Sequence, residues 1–213
     1  MLDIITRFIT NLNKNIISKY SYFLIDLDNT VYDENEYLFE AYENISQYLE
    51  KLTLVEASII YEYLVTNFLN EGRSNLFDKL LNHFNLNSEI ISELLTILRT
   101  FSPKKKLELF PEAFRFMDSI ISANKEIFVV TNGNVIQQRN KVNNINWRNL
   151  DSKIRFLFAN EFKPKPSIDS FLQLKELHGI DNNNSVMIGD SEVDLNYAKN
   201  CQIPFFYFNE IFN

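Results

Sequence analysis

Cysteine is nearly absent from this chain. One residue, Cys201, among 213 excludes an internal disulfide framework and any zinc site built on several thiolates; by default it is a small buried hydrophobe. The two histidines, His83 and His178, lack metal-ligand spacing and read as surface or packing residues. Glycine is scarce too: Gly72, Gly133, Gly179 and Gly189 are all there are. In a chain rich in Asn, Ile and Lys, these four mark backbone that needs positive φ or a close approach, and Gly179 reads as a helix C-cap. No apolar run nears the ~20 residues of a membrane span. Asp3, Arg7, Asn11 and Lys14 interrupt the N-terminal stretch, which argues against a secretory signal. Between these charges, apolar residues from Ile4 to Ile17 recur at helical spacing and predict an amphipathic helix docked on its own domain. Positive charge is in deficit: a net charge of -7 and a pI near 5.0 disfavour a general nucleic-acid binder. Trp147 among Arg139, Lys141 and Arg148 reads as a solvated face, and Lys104 to Lys106 as a solvated hinge. A reducing cytoplasm suits such a chain.

What is present is a core. With 46% hydrophobic residues the chain can build one domain of ordinary size, or one carrying an insertion. Apolar runs of strand length lie at Tyr22–Leu27, Ile127–Thr131, Ile154–Ala159, Ser185–Gly189 and Pro204–Phe208. Helical patterns separate them at Glu112–Asn124, Val135–Val142, Ile168–His178 and Val193–Asn200. That alternation predicts parallel pairing through right-handed crossovers, and the continuous apolar runs predict strands buried on both faces. Between the first two strands the chain detours through helical patterns only, at Glu34–Leu52, Leu54–Leu69, Asn75–Phe84 and Ser88–Thr100. The expected division is a core of residues 1–32 and 107–213, with a helical insert over 33–106.

The stretch FLIDLDNT, Phe23 to Thr30, runs a buried-looking strand straight into two carboxylates. Side chains two apart on a strand share a face, so Asp26 and Asp28 would sit about 7 Å apart and resist joint ionisation unless a cation or donors hold them. The ends of the other strands supply candidates, and ligands of open parallel sheets bind beyond those ends. They are Thr131-Asn132-Gly133, Lys163-Pro-Lys165-Pro, and Gly189-Asp190 with Asp194. Asp26, Asp190 and Asp194 are hard oxygen donors suited to Mg²⁺, although Asp194 could equally sit in the first turn of a helix. Thr131, the amides of Asn132 and Gly133, and a lysine are donors for phosphoryl oxygens.

In order along the chain, Asp26-Leu-Asp28-Asn-Thr30, Thr131-Asn-Gly, Lys165-Pro and Gly189-Asp190 with Asp194 resemble the motifs of the haloacid dehalogenase (HAD) superfamily. The resemblance covers Tyr22 to Phe208. It implies a Rossmann-like open sheet with an inserted helical cap of the C1 type, since the connection from Thr131 to Ile154 is too short for the other cap. By residue, it implies that Asp26 attacks phosphorus and that Asp28 protonates the leaving oxygen, then activates water. Mg²⁺ would be held by Asp26, the backbone carbonyl of Asp28, and Asp190, with Asp194 as a ligand or just behind one. Thr131 and Lys165 would neutralise the transferring group; Lys163 is the rival for that lysine. The cap turn Glu71-Gly72-Arg73-Ser74 makes Arg73 a candidate substrate contact, and Tyr32, Glu36 and Tyr37 candidates to line the entrance.

The implied activity is a Mg²⁺-dependent phosphatase of a small phosphorylated metabolite: a sugar, amino-alcohol or nucleoside phosphate, in surface-polysaccharide or nucleotide metabolism. The protein would act as a monomer or homodimer. A phosphomutase shares every motif, and a non-catalytic phosphate-binding module is the rival from another class. A dehalogenase would not need Asp28. A phospho-receiver domain would need its acceptor aspartate after a middle strand, where this chain has Asn160-Glu161.

Overall fold

The computed structural model describes residues 13–212. Of the N-terminal helix expected from Ile4 to Ile17, residues 1–12 lie outside that range; residues 13–19 are helical, with Ile16 buried. The chain divides into two compact units. One takes residues up to Asp33 together with Glu108–Gln138 and Ile145–Asn213; the other takes Glu34–Leu107 and Arg139–Asn144.

The first unit is built on five parallel strands: β1 (Tyr22–Ile25), β2 (Glu126–Thr131), β3 (Ile154–Phe158), β4 (Ser185–Gly189) and β5 (Phe205–Tyr207). Their order is β3-β2-β1-β4-β5. The chain thus starts at the centre, winds outward on one side and returns to wind outward on the other. The ends of β1, β2 and β4 are side by side in register, with Ile25 opposite both Val129 and Ile188. This reversal is where open parallel sheets present their ligand crevice.

Alternation along β1 assigns its two faces. Phe23 meets Phe116 edge to face at 6.1 Å, on the helix Pro111–Ser122. That helix starts with proline in its first turn, where a missing N–H costs nothing, and buries Ala113, Phe116, Met117 and Ile120 at helical spacing. Leu24 faces the opposite way, into a cluster with Phe128, Met187, Phe171, Leu174 and Tyr197. Those last three come from the helices Asp169–His178 and Glu192–Cys201. Both faces of the sheet are therefore covered, as its unbroken apolar runs require. Trp147, read above as part of a solvated face, is buried against Phe156 instead, with ring centroids 5.0 Å apart.

The second unit is helical. Glu34–Leu52 packs on Ala57–Glu71 and on Ile91–Thr100. It presents Leu38, Ala41, Tyr42, Ile45 and Leu49 as a buried stripe. Thr53 receives the amide of Val55 at the first break, and Asn87 that of Glu89 at the last, as short polar side chains do where helices interrupt. Lys141, expected in solvent, is buried here: its ammonium donates to Glu34 Oε1 at 2.5 Å.

Candidate active site

Strand β1 continues one residue past its apolar run, for the amide of Asp26 still donates to Ile188 O at 2.9 Å. The Asp26 side chain is consequently delivered to the carboxyl edge of the sheet, almost wholly buried. Leu27 then turns into the core and Asn29 takes a left-handed φ of 58°, a conformation asparagine tolerates. This reversal brings Asp28 and Tyr32 together. Asp28 Oδ1 accepts from the Tyr32 hydroxyl at 2.7 Å, and Oδ2 from Gln138 Nε2 at 2.8 Å. The two aspartates, two residues apart, thus sit in unlike company.

The company of Asp26 is ionic. Lys165 Nζ donates to Asp26 Oδ1 at 2.5 Å, to Asp194 Oδ1 at 2.6 Å and to Val130 O at 2.8 Å. An ammonium has three protons to donate, so all are engaged. Asp194 performs two tasks at once. Its Oδ2 accepts from the Ser191 hydroxyl at 2.6 Å while the Ser191 side chain caps the Asp194 amide, a capping box that opens the helix Glu192–Cys201. Asp194 thus lies both in the first turn of that helix and in the acidic cluster. Asp26, Asp190 and Asp194 each bring one carboxylate oxygen within 4.8 Å of the others.

Burial pushes the Asp26 carboxyl up to about 7; Lys165 pulls it back, while Asp194 and Asp28 add to the rise. Burial alone would lower Lys165, but the carboxylates of Asp26 and Asp194 outweigh it and hold the ammonium above its ordinary range. Asp190 is open to solvent on its outer side, yet the surrounding protein and then Asp194 raise its carboxyl. More negative charge has been gathered than one lysine balances, and such a donor set fits a hard divalent cation.

The family model described as haloacid dehalogenase-like hydrolase matches residues 23–208. The chain belongs to that family. No curated protein matches it in sequence. Solved structures with the HAD fold do match. A HAD phosphatase from Thermococcus onnurineus is 19% identical, covering 88% of this chain and 85% of that one at a TM-score of 0.59. The HAD hydrolase YfnB from Bacillus subtilis, solved with magnesium, is 17% identical, with coverages of 88% and 87% and a TM-score of 0.58. CbbY from Rhodobacter sphaeroides, solved as a mutant in complex with xylulose-1,5-bisphosphate, is 14% identical, with coverages of 88% and 85% and a TM-score of 0.61. At these identities the likeness is one of fold. No described helix is long and apolar enough to cross a membrane.

The two candidate lysines lie in different surroundings. Lys165 is buried among the carboxylates; Lys163 is exposed and 3.4 Å from Asp169. What holds Lys165 is Asn132. Its Nδ2 donates to Lys165 O at 2.9 Å and its Oδ1 accepts from Lys165 N at 2.8 Å. Thr131 closes β2, buried, and its Oγ1 accepts from Gln138 Nε2 at 2.8 Å. Of the two amides expected to face phosphate, that of Gly133 donates to Asn160 Oδ1 at 2.9 Å. The turn after β2 is itself tied down before any anion arrives, which is why its polar groups face protein. Arg73 belongs to the helical unit, where its half-exposed side chain pairs with Glu34.

Sequence reasoning missed Gln138, Asn160 and Ser191. No sequence signal marked Gln138: the helix Val135–Asn144 buries Gln138 and Lys141 and leaves Ile136 59% exposed, the reverse of the usual amphipathic face.

Proposed function

We propose that this HAD hydrolase is a Mg²⁺-dependent phosphatase that cleaves a small phosphate monoester through an aspartyl-phosphate on Asp26. The observation that carries the reading is the unlike treatment of two neighbouring carboxylates: Asp26 shares an ammonium with Asp194, whereas Asp28 is held by two neutral donors. Paired carboxylates in unlike environments divide labour between nucleophile and proton carrier.

In this reading an Asp26 oxygen attacks phosphorus, forming the acyl phosphate as the bond from phosphorus to the ester oxygen breaks. The proton on Asp28 passes to that leaving oxygen. Asp28, now ionised, takes a proton from water, whose oxygen attacks the same phosphorus; the bond to Asp26 breaks and inorganic phosphate leaves. Lys165 and the Thr131 hydroxyl offset charge on the transferring group, whose reaction is mostly one of positioning. Asp26, Asp190 and Asp194, with the backbone carbonyl of Asp28, would hold Mg²⁺, which would supply further charge neutralisation to the phosphoryl oxygens. The magnesium in YfnB, the phosphatase from Thermococcus and the sugar bisphosphate in CbbY support the choice. The substrate class is a sugar, amino-alcohol or nucleoside phosphate, and residues 33–106 would act as the cap that encloses it.

The test is phosphate release with Mg²⁺ from a panel of such esters, with Asp26→Asn as the control that keeps shape and removes the nucleophile. Turnover confined to one class and lost in Asp26→Asn is expected. A folded protein that moves phosphate only between two positions of a sugar, releasing none, would make it a mutase and sink the hydrolytic reading.

A further inference from the structure

We infer that Gln138 is a positioning residue of this site: one amide ties the proton-carrying carboxylate of Asp28 to the phosphate-facing hydroxyl of Thr131. The inference rests on the phosphatase reading and concerns a residue outside the four motifs.

Orientation is the first support. The helix Val135–Asn144 begins with Asn134, whose Oδ1 accepts from the amides of Ile136 and Gln137. This cap sets the helical phase so that Gln138 turns inward, 3% exposed, while Ile136 remains in solvent at 59%. Burial of apolar surface would favour the opposite rotation. Something polar must reward the observed one.

The hydrogen bonds identify it. Gln138 Nε2 lies 2.8 Å from Asp28 Oδ2, 2.8 Å from Thr131 Oγ1 and 2.5 Å from Asn132 O. An amide nitrogen carries two protons for these three acceptors, so the bonds are shared. Gln138 Oε1 is buried without a partner. A glutamine kept for packing would satisfy both ends of its amide; here every polar contact of the side-chain amide runs to residues at the ends of β1 and β2. Gly133 makes room for it. Its φ is 123°, and a Cβ there would come within 3.2 Å of Gln138 Nε2.

The consequence is geometric. Asp28 must face the leaving oxygen and then a water, both on a phosphorus held beside Thr131. With Gln138 on one oxygen and Tyr32 on the other, the Asp28 carboxylate cannot rotate freely, and its distance from Thr131 is set by a single nitrogen. A displacement of about 1 Å in such an arrangement costs on the order of 100-fold in rate.

The experiment uses the full-length protein with Mg²⁺, in wild-type, Gln138→Met and Gln138→Glu forms, each checked for folding by circular dichroism. Methionine keeps the volume without N–H donors; glutamate keeps the shape but sets an oxygen against the Asp28 carboxylate. On the best substrate of the panel, kcat should fall roughly 100-fold in Gln138→Met, further in Gln138→Glu, with KM little changed. With p-nitrophenyl phosphate, whose leaving group needs no proton, the variants should release a burst of nitrophenolate equal to the enzyme concentration, because water activation by Asp28 is the step impaired. A role in packing alone predicts wild-type kcat in Gln138→Met and no burst, which would overturn the inference. Should Gln138→Met fail to fold, Gln138→Asn decides: its amide is one methylene short, so wild-type kcat in that variant overturns the inference and a lowered kcat with a burst supports it. A wild-type enzyme that releases no phosphate from any ester sinks the phosphatase reading itself; an active wild type beside an equally active Gln138→Met sinks only this inference.

Discussion

Asp26 and Lys165 lie 139 positions apart in the chain and are joined by a bond of 2.5 Å in the interior. The ammonium also reaches Asp194 and the carbonyl of Val130, so one side chain connects the ends of β1 and β2 with the helix that follows β4. Removing Lys165 from such a buried ionic set would leave its carboxylates uncompensated, whereas exposed pairs such as Arg115–Glu112 contribute little.

The raised carboxyl of Asp26 makes stability depend on pH in an unusual direction. Its pKa is about 7 in the folded protein against an ordinary value of 3.8. Between those values the folded state binds the extra proton, so stability falls as pH rises from about 4 to 7, and the deficit is complete above 7. In metal-free protein, Asp26→Asn should therefore melt roughly 5 °C higher than wild type at pH 8, with the difference shrinking toward pH 4. Adding Mg²⁺ should raise the wild-type melting temperature more than that of the variant. Thermal melts at three pH values, with and without Mg²⁺, check both; a wild type more stable than Asp26→Asn at pH 8 without metal would refute the electrostatic account.

Gly189 allows Asp194 its place. A Cβ at Gly189 would sit 2.6 Å from the Asp194 carboxylate, closer than carbon and oxygen tolerate. Gly189→Ala must push Asp194 away from Lys165 and from Ser191, at a cost of about 1–3 kcal/mol. The measurable outcomes are a lower urea midpoint and a weaker stabilisation by Mg²⁺ than in wild type. If the midpoint is unchanged, the close approach is not a constraint.

Glu34 holds two cations in the helical unit, Lys141 on one oxygen and Arg73 on the other. Lys141 and Glu34 side chains are only 1% and 2% exposed. Glu34→Gln keeps the shape but removes the negative charge between two positive ones, and should cost roughly 3 kcal/mol in urea unfolding. The double variant Glu34→Met/Lys141→Met, in which neither charge remains, should recover most of that loss. Equal destabilisation in the double variant would count against the ion pair as the cause.

Much of this could be read from the chain. The five strands are where continuous apolar runs end in polar clusters, because a buried parallel strand has to be apolar along its length. Asp26 and Asp190 were legible by position, each standing just beyond a strand end; Asp194, in the first turn of the next helix, was legible only as one of two readings. Gly189 was legible only as a scarce residue with some backbone task; the task, room for Asp194, depends on a side chain arriving from the next helix. Gln138 and Lys141 were not legible, for a polar side chain turned inward looks in sequence like one turned outward, and only the phase of the helix tells them apart. The hydrogen bond from the Gly133 amide to Asn160 Oδ1 was illegible for a related reason: Asn160 is a neighbour only in space.

The pair of hydrogen bonds between the Asn132 side chain and the Lys165 backbone has a wider consequence. The segment carrying Lys165 has no regular structure of its own, so it borrows its position from the end of β2. Segments with few backbone bonds of their own ordinarily open far more readily than the sheets they border. This one is stitched to a central strand by a side chain that must donate one hydrogen bond and accept another, a task an ionised aspartate could not perform. The lysine loop should therefore exchange its amide at Lys165 with solvent at a rate close to that of Thr131, and breathe with the sheet as part of it.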